Sequence, residues 1–229
     1  MAEAKPVVLA VDVGGSHVKT MRSDGGGEKR KFDSGPTLTA REMVDGVREL
    51  TRDWRFDRVS VGIPTPVRGG KPIAEPVNLG DGWVAFDFAE AFGAPTKVVN
   101  DAVMQAIGSY EGGRMLFLGL GTGLGSALIV DGIVEPLELG HLPYRKQTFE
   151  DYVSARALER HGKKRWRATV FDVVERLASA MEPDYVVIGG GGADELDKLP
   201  PNARRGDNER AFVGGFRLWE PEWDPALPR

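Results

Sequence analysis

The 229-residue sequence predicts an α/β fold of two similar lobes. Three observations carry this expectation. Short apolar runs of strand type alternate with stretches of helical periodicity along the whole chain. Each half opens with the same unit, a strand, a glycine turn and a second strand. The 30 glycines also cluster, at 14–15, 25–27, 69–70, 119–125, 189–192 and 214–215. Several of these groups directly follow apolar strands, where a backbone without Cβ can approach a ligand closely.

In order along the chain, Val7-Val-Leu-Ala-Val-Asp12 reads as a buried strand. Val13-Gly-Gly-Ser16 turns it into the alternating strand His17–Arg22, and Asp24-Gly-Gly-Gly27 is the next turn. Thr39 to about Asp53 has helical periodicity, with Thr39 as N-cap and Glu42 completing a capping box. Arg58–Ile63 is a strand stopped by Pro64 and Pro66. Residues 67–86, rich in Gly, Pro and Asn, read as irregular. Asp87 to Phe92 suggests a short helix and Thr96–Asn100 a strand. A helix beginning at Asp101 is expected to end near Gly112-Gly113.

The second half opens with a hairpin over 115–134. Glu150 to about Arg160 and Ala168 to Met181 are helical by pattern; Val170, Phe171, Val174, Leu177, Ala178 and Met181 form a core stripe in the latter. Tyr185–Ile188 is a buried strand entering Gly189–Gly192, Ala193 to Leu199 reads as helical, and the tail Trp219–Arg229 as irregular. The expected division is 1–101 and 102–229, one glycine hairpin in each lobe. The two hairpins would face each other across a central cleft that can close and exclude water.

A formal charge of −4 supplies no basic field, which argues against a nucleic-acid partner. Cysteine is absent, so disulfides and thiolate metal sites are excluded. Three histidines, His17, His141 and His161, make a structural zinc site improbable. No apolar run is long enough to span a membrane, and Met-Ala-Glu-Ala-Lys-Pro lacks a signal-peptide core, so a cytoplasmic protein with no membrane association is expected.

The run Leu116-Phe-Leu-Gly-Leu-Gly-Thr-Gly-Leu-Gly-Ser-Ala-Leu-Ile-Val130 is the richest in chemistry. A dinucleotide fingerprint needs a helix after its glycines. Here a second strand and the turn Asp131-Gly132 follow, so the expectation is a hairpin holding phosphate by its backbone, which points to phosphoryl transfer. Asp12, at the end of a buried strand before Gly14-Gly15-Ser16, either caps the turn or holds a phosphate through Mg²⁺. Asn100-Asp101 lies at a strand–helix junction, where either residue can cap the helix. Alternatively Asp101 is a general base for an attacking hydroxyl, with Asn100 orienting the acceptor. Glu138, His141 and Glu150 suit recognition of a polyol, yet singly each carboxylate reads as solvated surface. The run Lys163-Lys-Arg-Trp-Arg167 reads as a solvated basic face.

Together these pieces resemble the ROK family of bacterial sugar kinases, most closely its polyphosphate glucokinase branch. Asp12-Val-Gly-Gly-Ser16 is similar to the family's first phosphate motif and Leu120-Gly-Thr-Gly-Leu-Gly-Ser126 to its second. Gly62-Ile-Pro-Thr-Pro-Val67 resembles the Gly-x-Pro-Gly-x-Val segment, and Asn78-Leu79 with Trp83 the Asn-Leu…Trp segment. Val99-Asn-Asp-Ala102 matches the catalytic motif. Glu138-Leu-Gly-His141 and Phe149-Glu-Asp-Tyr152 resemble the sugar-binding segments, and Ile188-Gly-Gly-Gly191 the C-terminal glycine loop.

The resemblance implies a two-lobed actin/hexokinase-like (ribonuclease H-like) fold. It implies Asp101 as the base that deprotonates a sugar 6-hydroxyl. Asn78, Asn100, Glu138, His141 and Glu150 would bind the sugar. Asp12, Gly14, Gly15, Ser16, Lys19, Gly121, Thr122, Gly123, Gly190 and Gly191 would handle the phosphates of ATP or polyphosphate, with Mg²⁺ held indirectly at Asp12. A homodimer is a further implication. Two departures stand out. Thr65 occupies a position usually Gly, and Leu142–Thr148 replaces the cysteine-rich zinc segment of many members, as the polyphosphate branch also does. Competing readings are a non-catalytic sugar sensor of the same fold, and a kinase or ATPase acting on a non-sugar substrate.

Overall fold

The computed structural model describes residues 5–26 and 28–223, the side chain of Glu222 apart. The residues Met1–Ala4, Gly27 and those from Asp224 to Arg229, on which parts of the leader, turn and tail readings fall, lie outside the described residues.

The chain forms two compact units. One comprises the chain up to Met104 together with the stretch from Ala211 onward; the other is Gln105–Arg210. The first is built on strands β1 (Val8–Val13), β2 (His17–Arg22), β3 (Arg30–Asp33), β4 (Arg58–Ile63) and β5 (Thr96–Asn100). Their order is β3-β2-β1-β4-β5, an antiparallel meander followed by parallel strands. The second unit repeats this order with β6 (Arg114–Leu120), β7 (Leu124–Val130), β8 (Ile133–Leu137), β9 (Tyr185–Gly189) and β10 (Ala203–Arg205), as β8-β7-β6-β9-β10. The duplication read from the two glycine turns is therefore a duplication of sheet topology.

Register fixes what lies where the parallel strands end. In the first sheet Asp12 pairs with Gly62, and Ile63 with Asn100. In the second, Gly119 pairs with Gly189 and Ile188 with Arg205. Ligands of open α/β sheets sit outside such carboxyl ends.

Helix α1 (Ala40–Leu50) buries Ala40, Met43, Val44 and Val47, spaced to share one face. Thr39 and Glu42 form the expected capping box. The helix stops three residues short of Asp53 because Thr51 caps it. Helix α2 (Phe88–Phe92) is capped by Asp87 and ended by Gly93 at φ 69°. In the second unit Ser154, in extended conformation, splits the predicted helix into α4 (Glu150–Val153) and α5 (Ala155–His161). Helix α6 (Lys163–Met181) starts five residues before the expected Ala168. Trp166 explains the early start: it is buried, and its indole N–H donates to Val153 O at 2.9 Å. The basic run is thus a first helical turn anchored in the core rather than a wholly solvated face.

Other expectations need correction. Helix α3 (Asp101–Ser109) ends at Ser109, before the glycine pair, and Ala193–Leu199 is not an α-helix: its first three residues belong to a 3₁₀ turn, Gly191–Glu195. Residues 67–86 contain a two-stranded ribbon, Val67–Arg68 with Lys71–Pro72. Strands β3 and β10 and helix α7 (Arg210–Arg217) have no counterpart in the sequence reading. The last of these moves the domain boundary, because the described residues from Ala211 to Trp223 belong to the first unit, not to the second as 102–229 implied. Gly215 lets α7 approach β1, since a Cβ there would lie 2.7 Å from Ala10 Cβ. Ser60 Oγ donates to Gly215 O at 2.6 Å and accepts the Trp219 indole N–H at 2.9 Å.

Candidate active site

In the first unit, Asp12 and Lys19 oppose each other across the β1–β2 hairpin. Lys19 Nζ lies 3.4 Å from Asp12 Oδ2. Burial pushes the Asp12 carboxyl above its usual range, and the Lys19 ammonium pulls it part of the way back. At the hairpin tip Gly14 N–H donates to His17 O at 2.9 Å, and Gly14 O accepts the Ser34 hydroxyl at 2.6 Å. The Gly14 N–H is therefore spent on the turn itself. Among the described residues no partner takes the N–H groups of Gly15 and Ser16, which are the donors this tip presents.

At the end of β5 the two capping alternatives resolve. Asn100 is the cap: its Oδ1 accepts from Ala102 N at 2.9 Å and Val103 N at 3.3 Å. Its Nδ2 donates to Thr65 O at 3.2 Å, which leaves one amide hydrogen for a ligand. Asp101 is the first residue of α3, half-buried, with Oδ1 2.8 Å from Ala102 N. Gly62 lies beneath it. A Cβ at Gly62 would sit 2.5 Å from Met104 Cε and, in ordinary contact, 3.4 Å from Asp101 Cα, so glycine makes room for the Met104 side chain of α3. Thr65 needs no positive φ. Its side chain is buried, with the hydroxyl donating to Ala74 O at 2.9 Å. Asn78 is half-buried in a turn closed by Leu79 N–H on Pro76 O.

In the second unit β6 and β7 pair to Leu120 and Leu124, leaving Gly121-Thr122-Gly123 as the tip. Gly121 N–H donates to Gly123 O at 3.1 Å, and Gly121 O accepts Ala155 N–H at 2.8 Å. Gly121, like Gly14, is committed internally. Thr122 is exposed, and no described partner takes its N–H or that of Gly123. Glu150 Oε2 accepts Leu124 N–H at 3.1 Å. Its carboxylate occupies the space where a Cβ on Gly123 would stand. Ser126, buried in β7, brackets Glu138: its hydroxyl donates to Leu137 O at 2.8 Å and accepts Leu139 N–H at 3.0 Å. A 3₁₀ turn, Leu139–His141, then brings His141 N–H onto Glu138 O. Desolvation raises the Glu138 carboxyl above its usual range; His141 opposes that shift and Glu150 adds to it. Glu138, His141 and Glu150 therefore share one electrostatic neighbourhood.

The glycine loop after β9 meets the same hairpin just below its tip. Gly190, at φ 76°, and Gly192 both press on Leu120: a Cβ would strike its backbone from Gly190 and its Cβ from Gly192. Gly191 faces open space. Among the described residues no group of three or more His, Cys, Asp or Glu has the geometry of a metal site. A hard cation held by one carboxylate, with water and phosphate oxygens filling its other positions, still fits a half-buried Asp12.

Sequence reading gave no supporting role to Gly62, Ser126 and Gly140, which lie inside quoted motifs, and passed over Gly206. A Cβ at Gly140 would lie 2.9 Å from Leu124 O, and one at Gly206 would lie 3.1 Å from Gly189 Cα. The glycine in Glu138-Leu-Gly-His141 was the available signal for the first of these two contacts.

No family model matches the chain. The polyphosphate glucokinase of Mycobacterium tuberculosis is 26% identical over 215 residues, spanning 84% of this chain and 80% of that protein. An inorganic polyphosphate/ATP-glucomannokinase from Arthrobacter sp. strain KM has a similar structure, with a TM-score of 0.80 at 24% identity over 92% of this chain and 97% of that one. A ROK family glucokinase from Streptomyces griseus, solved with glucose and AMPPNP, gives a TM-score of 0.76 at 18% identity over 93% and 98% of the two chains. The fold is that of the ROK sugar kinases.

The ROK fold accounts for the paired sheets, with a glycine hairpin between the first two strands of each. Among the described residues no helix is long and apolar enough to cross a membrane.

Proposed function

We propose that this chain is a sugar kinase that moves a phosphoryl group from polyphosphate or ATP to the 6-hydroxyl of glucose or a close relative. The observation that carries the reading is the grouping of Glu138, His141 and Glu150 beside a glycine hairpin. Hydroxyl-binding carboxylates and an imidazole stand next to backbone donors suited to phosphate. The curated relative's name and its coverage of most of the chain support the substrate class.

Asp101 accepts the proton of the sugar hydroxyl as O6 forms its bond to the terminal phosphorus. The bridging P–O bond breaks, and the shortened phosphate chain leaves with its electron pair. Asn100 fixes Asp101 by capping α3 and offers its remaining amide hydrogen to a sugar oxygen. Glu138, His141 and Glu150 bind further hydroxyls, with Asn78 as an additional contact. Gly15, Ser16, Thr122, Gly123 and Gly191 present N–H groups to phosphate, and Lys19 adds a positive charge. Asp12 would hold Mg²⁺, whose charge neutralises the phosphates of the bound donor.

The test is phosphorylation by the purified protein, with glucose and each donor in turn. Formation of the sugar 6-phosphate is the expected result. Glucose-dependent thermal stabilisation without product would favour a sugar sensor instead.

A further inference from the structure

Glu150 does more than its expected place among the sugar ligands requires. It opens α4, which follows directly on Phe149, yet its carboxylate reaches the tip of the β6–β7 hairpin. Oε2 accepts the N–H of Leu124 at 3.1 Å. Gly123 is the residue that makes room, because any Cβ there would occupy the carboxylate's position. Gly140 allows the same approach from the other side, where a Cβ would stand 2.9 Å from Leu124 O and 3.5 Å from Glu150 Cβ. A second tie runs parallel to the first, from Ala155 N–H to Gly121 O at 2.8 Å. The tip residues Gly121-Thr122-Gly123 are thus held from both ends by one short segment, residues 150–155. Glu150 supplies the side-chain part of that hold.

We propose that Glu150 is a positioning residue for the phosphoryl donor: by accepting Leu124 N–H it fixes the hairpin tip in the conformation that presents Thr122 and Gly123 N–H to phosphate. A three-residue tip containing two glycines has many backbone conformations open to it, and each lost one raises the entropic cost of organising the donors. The carboxylate does this despite its sign. A negative charge beside an anion site weakens anion binding by Coulomb repulsion. The inference rests on the kinase reading for the donor's identity, but not for the clamp itself.

The opposing signs make the experiment decisive. Binding of AMPPNP, and separately of inorganic polyphosphate, is measured on the sugar-free full chain for wild type, Glu150→Ala and Glu150→Gln. Hydrogen exchange of Leu124 is followed on the same three proteins. Gln keeps a carbonyl oxygen for Leu124 N–H; Ala does not. Expected are a roughly tenfold loss of donor affinity and faster Leu124 exchange in Glu150→Ala, with Glu150→Gln retaining wild-type protection and at least wild-type donor affinity. Donor affinity unchanged or raised in Glu150→Ala would overturn the proposal, as would Glu150→Gln losing as much as Glu150→Ala. Should wild type bind neither donor, the kinase reading fails by that result, and unaltered Leu124 exchange in Glu150→Ala would separately dispose of the clamp. Glu150→Gln also guards against a folding defect in the alanine variant.

Discussion

Gly62 and Asp101 are in van der Waals reach through the one atom that Gly62 lacks. A Cβ at position 62 would lie 3.4 Å from Asp101 Cα and 2.5 Å from Met104 Cε. The methionine end can swing aside, whereas the helix backbone moves only as a unit. Gly62→Ala should therefore crowd Met104 and reach the start of α3 through that side chain while the core largely repacks. Overpacking of this kind costs about 1–3 kcal/mol, or several degrees of Tm. A misplaced base costs more, so kcat is expected to fall roughly 10–100-fold. Melting and steady-state kinetics check both, and a kcat within twofold of wild type refutes the positioning role of Gly62.

Asp101→Asn preserves size and leaves Asn100 to cap the helix. Its structural cost includes a lost favourable charge in the first turn, about 0.3–1 kcal/mol. The catalytic cost should be a 10²–10⁴-fold lower kcat, as for a missing general base. Glucose affinity, read by thermal shift, should stay within a few-fold of wild type. Normal turnover would remove Asp101 from the chemistry.

Both predictions use residues that the sequence marked, while their supports were invisible in it. Strands β1, β2, β4 and β5 were legible because unbroken apolar or alternating runs are bounded by Gly and Pro. Helix α1 announced itself through a capping box. Strand β3, Arg-Lys-Phe-Asp, was hidden because an edge strand buries little and needs no apolar run. Helix α7 was missed for another reason: its buried face contains Gly214 and Gly215, which read locally as a turn. The close approach to Ala10 that makes Gly215 necessary is a contact between distant parts of the chain. In the site the same limit applies. Spacing suggested that Asn100 or Asp101 caps, and the hydrogen bonds assign the cap to Asn100. The resemblance placed Gly14 and Gly121 among the phosphate-handling residues, and their N–H groups close their own turns.

Asp12→Asn separates stability from function. Burial disfavours the Asp12 carboxylate more than Lys19 favours it, so removing the charge relieves a cost in the folded state. In metal-free buffer at neutral pH the variant should melt about 2–4 °C higher, the shift expected per kcal/mol for a chain of this size. Lys19, one-third exposed, can turn to water when its partner is gone. Phosphoryl transfer should drop about 10²–10³-fold, the usual scale for losing one electrostatic group at the reacting centre. A variant both less stable and fully active would contradict the assignment on both counts.

The Tyr144–Asp172 bond predicts a pH-dependent stability. Tyr144, which lies between His141 and Glu150 in the chain, is buried, and its hydroxyl donates to Asp172 Oδ2. Phe149 and Tyr152 pack on its ring at centroid distances of 5.1 and 5.2 Å, and Arg145 Cζ lies 4.7 Å from the ring centroid. The bond, helped by Arg176, holds the Asp172 carboxyl below its ordinary value of 3.8. A carboxyl depressed on folding stabilises the protein above its unfolded value, and that contribution fades as pH falls through the folded one. Tyr144→Phe keeps the ring stack and deletes the hydroxyl, so it should cost about 1–2 kcal/mol near neutrality. The difference in Tm from wild type should persist down to about pH 4 and narrow below 3.8, as Asp172 protonates in the folded state. Because residue 144 anchors the segment joining His141 to Glu150, the sugar KM should rise several-fold with kcat within about twofold. Melting curves from pH 3 to 7.5 and sugar titrations at saturating donor read out both effects. A Tm difference that stays constant across that range would show that the hydroxyl acts by packing alone.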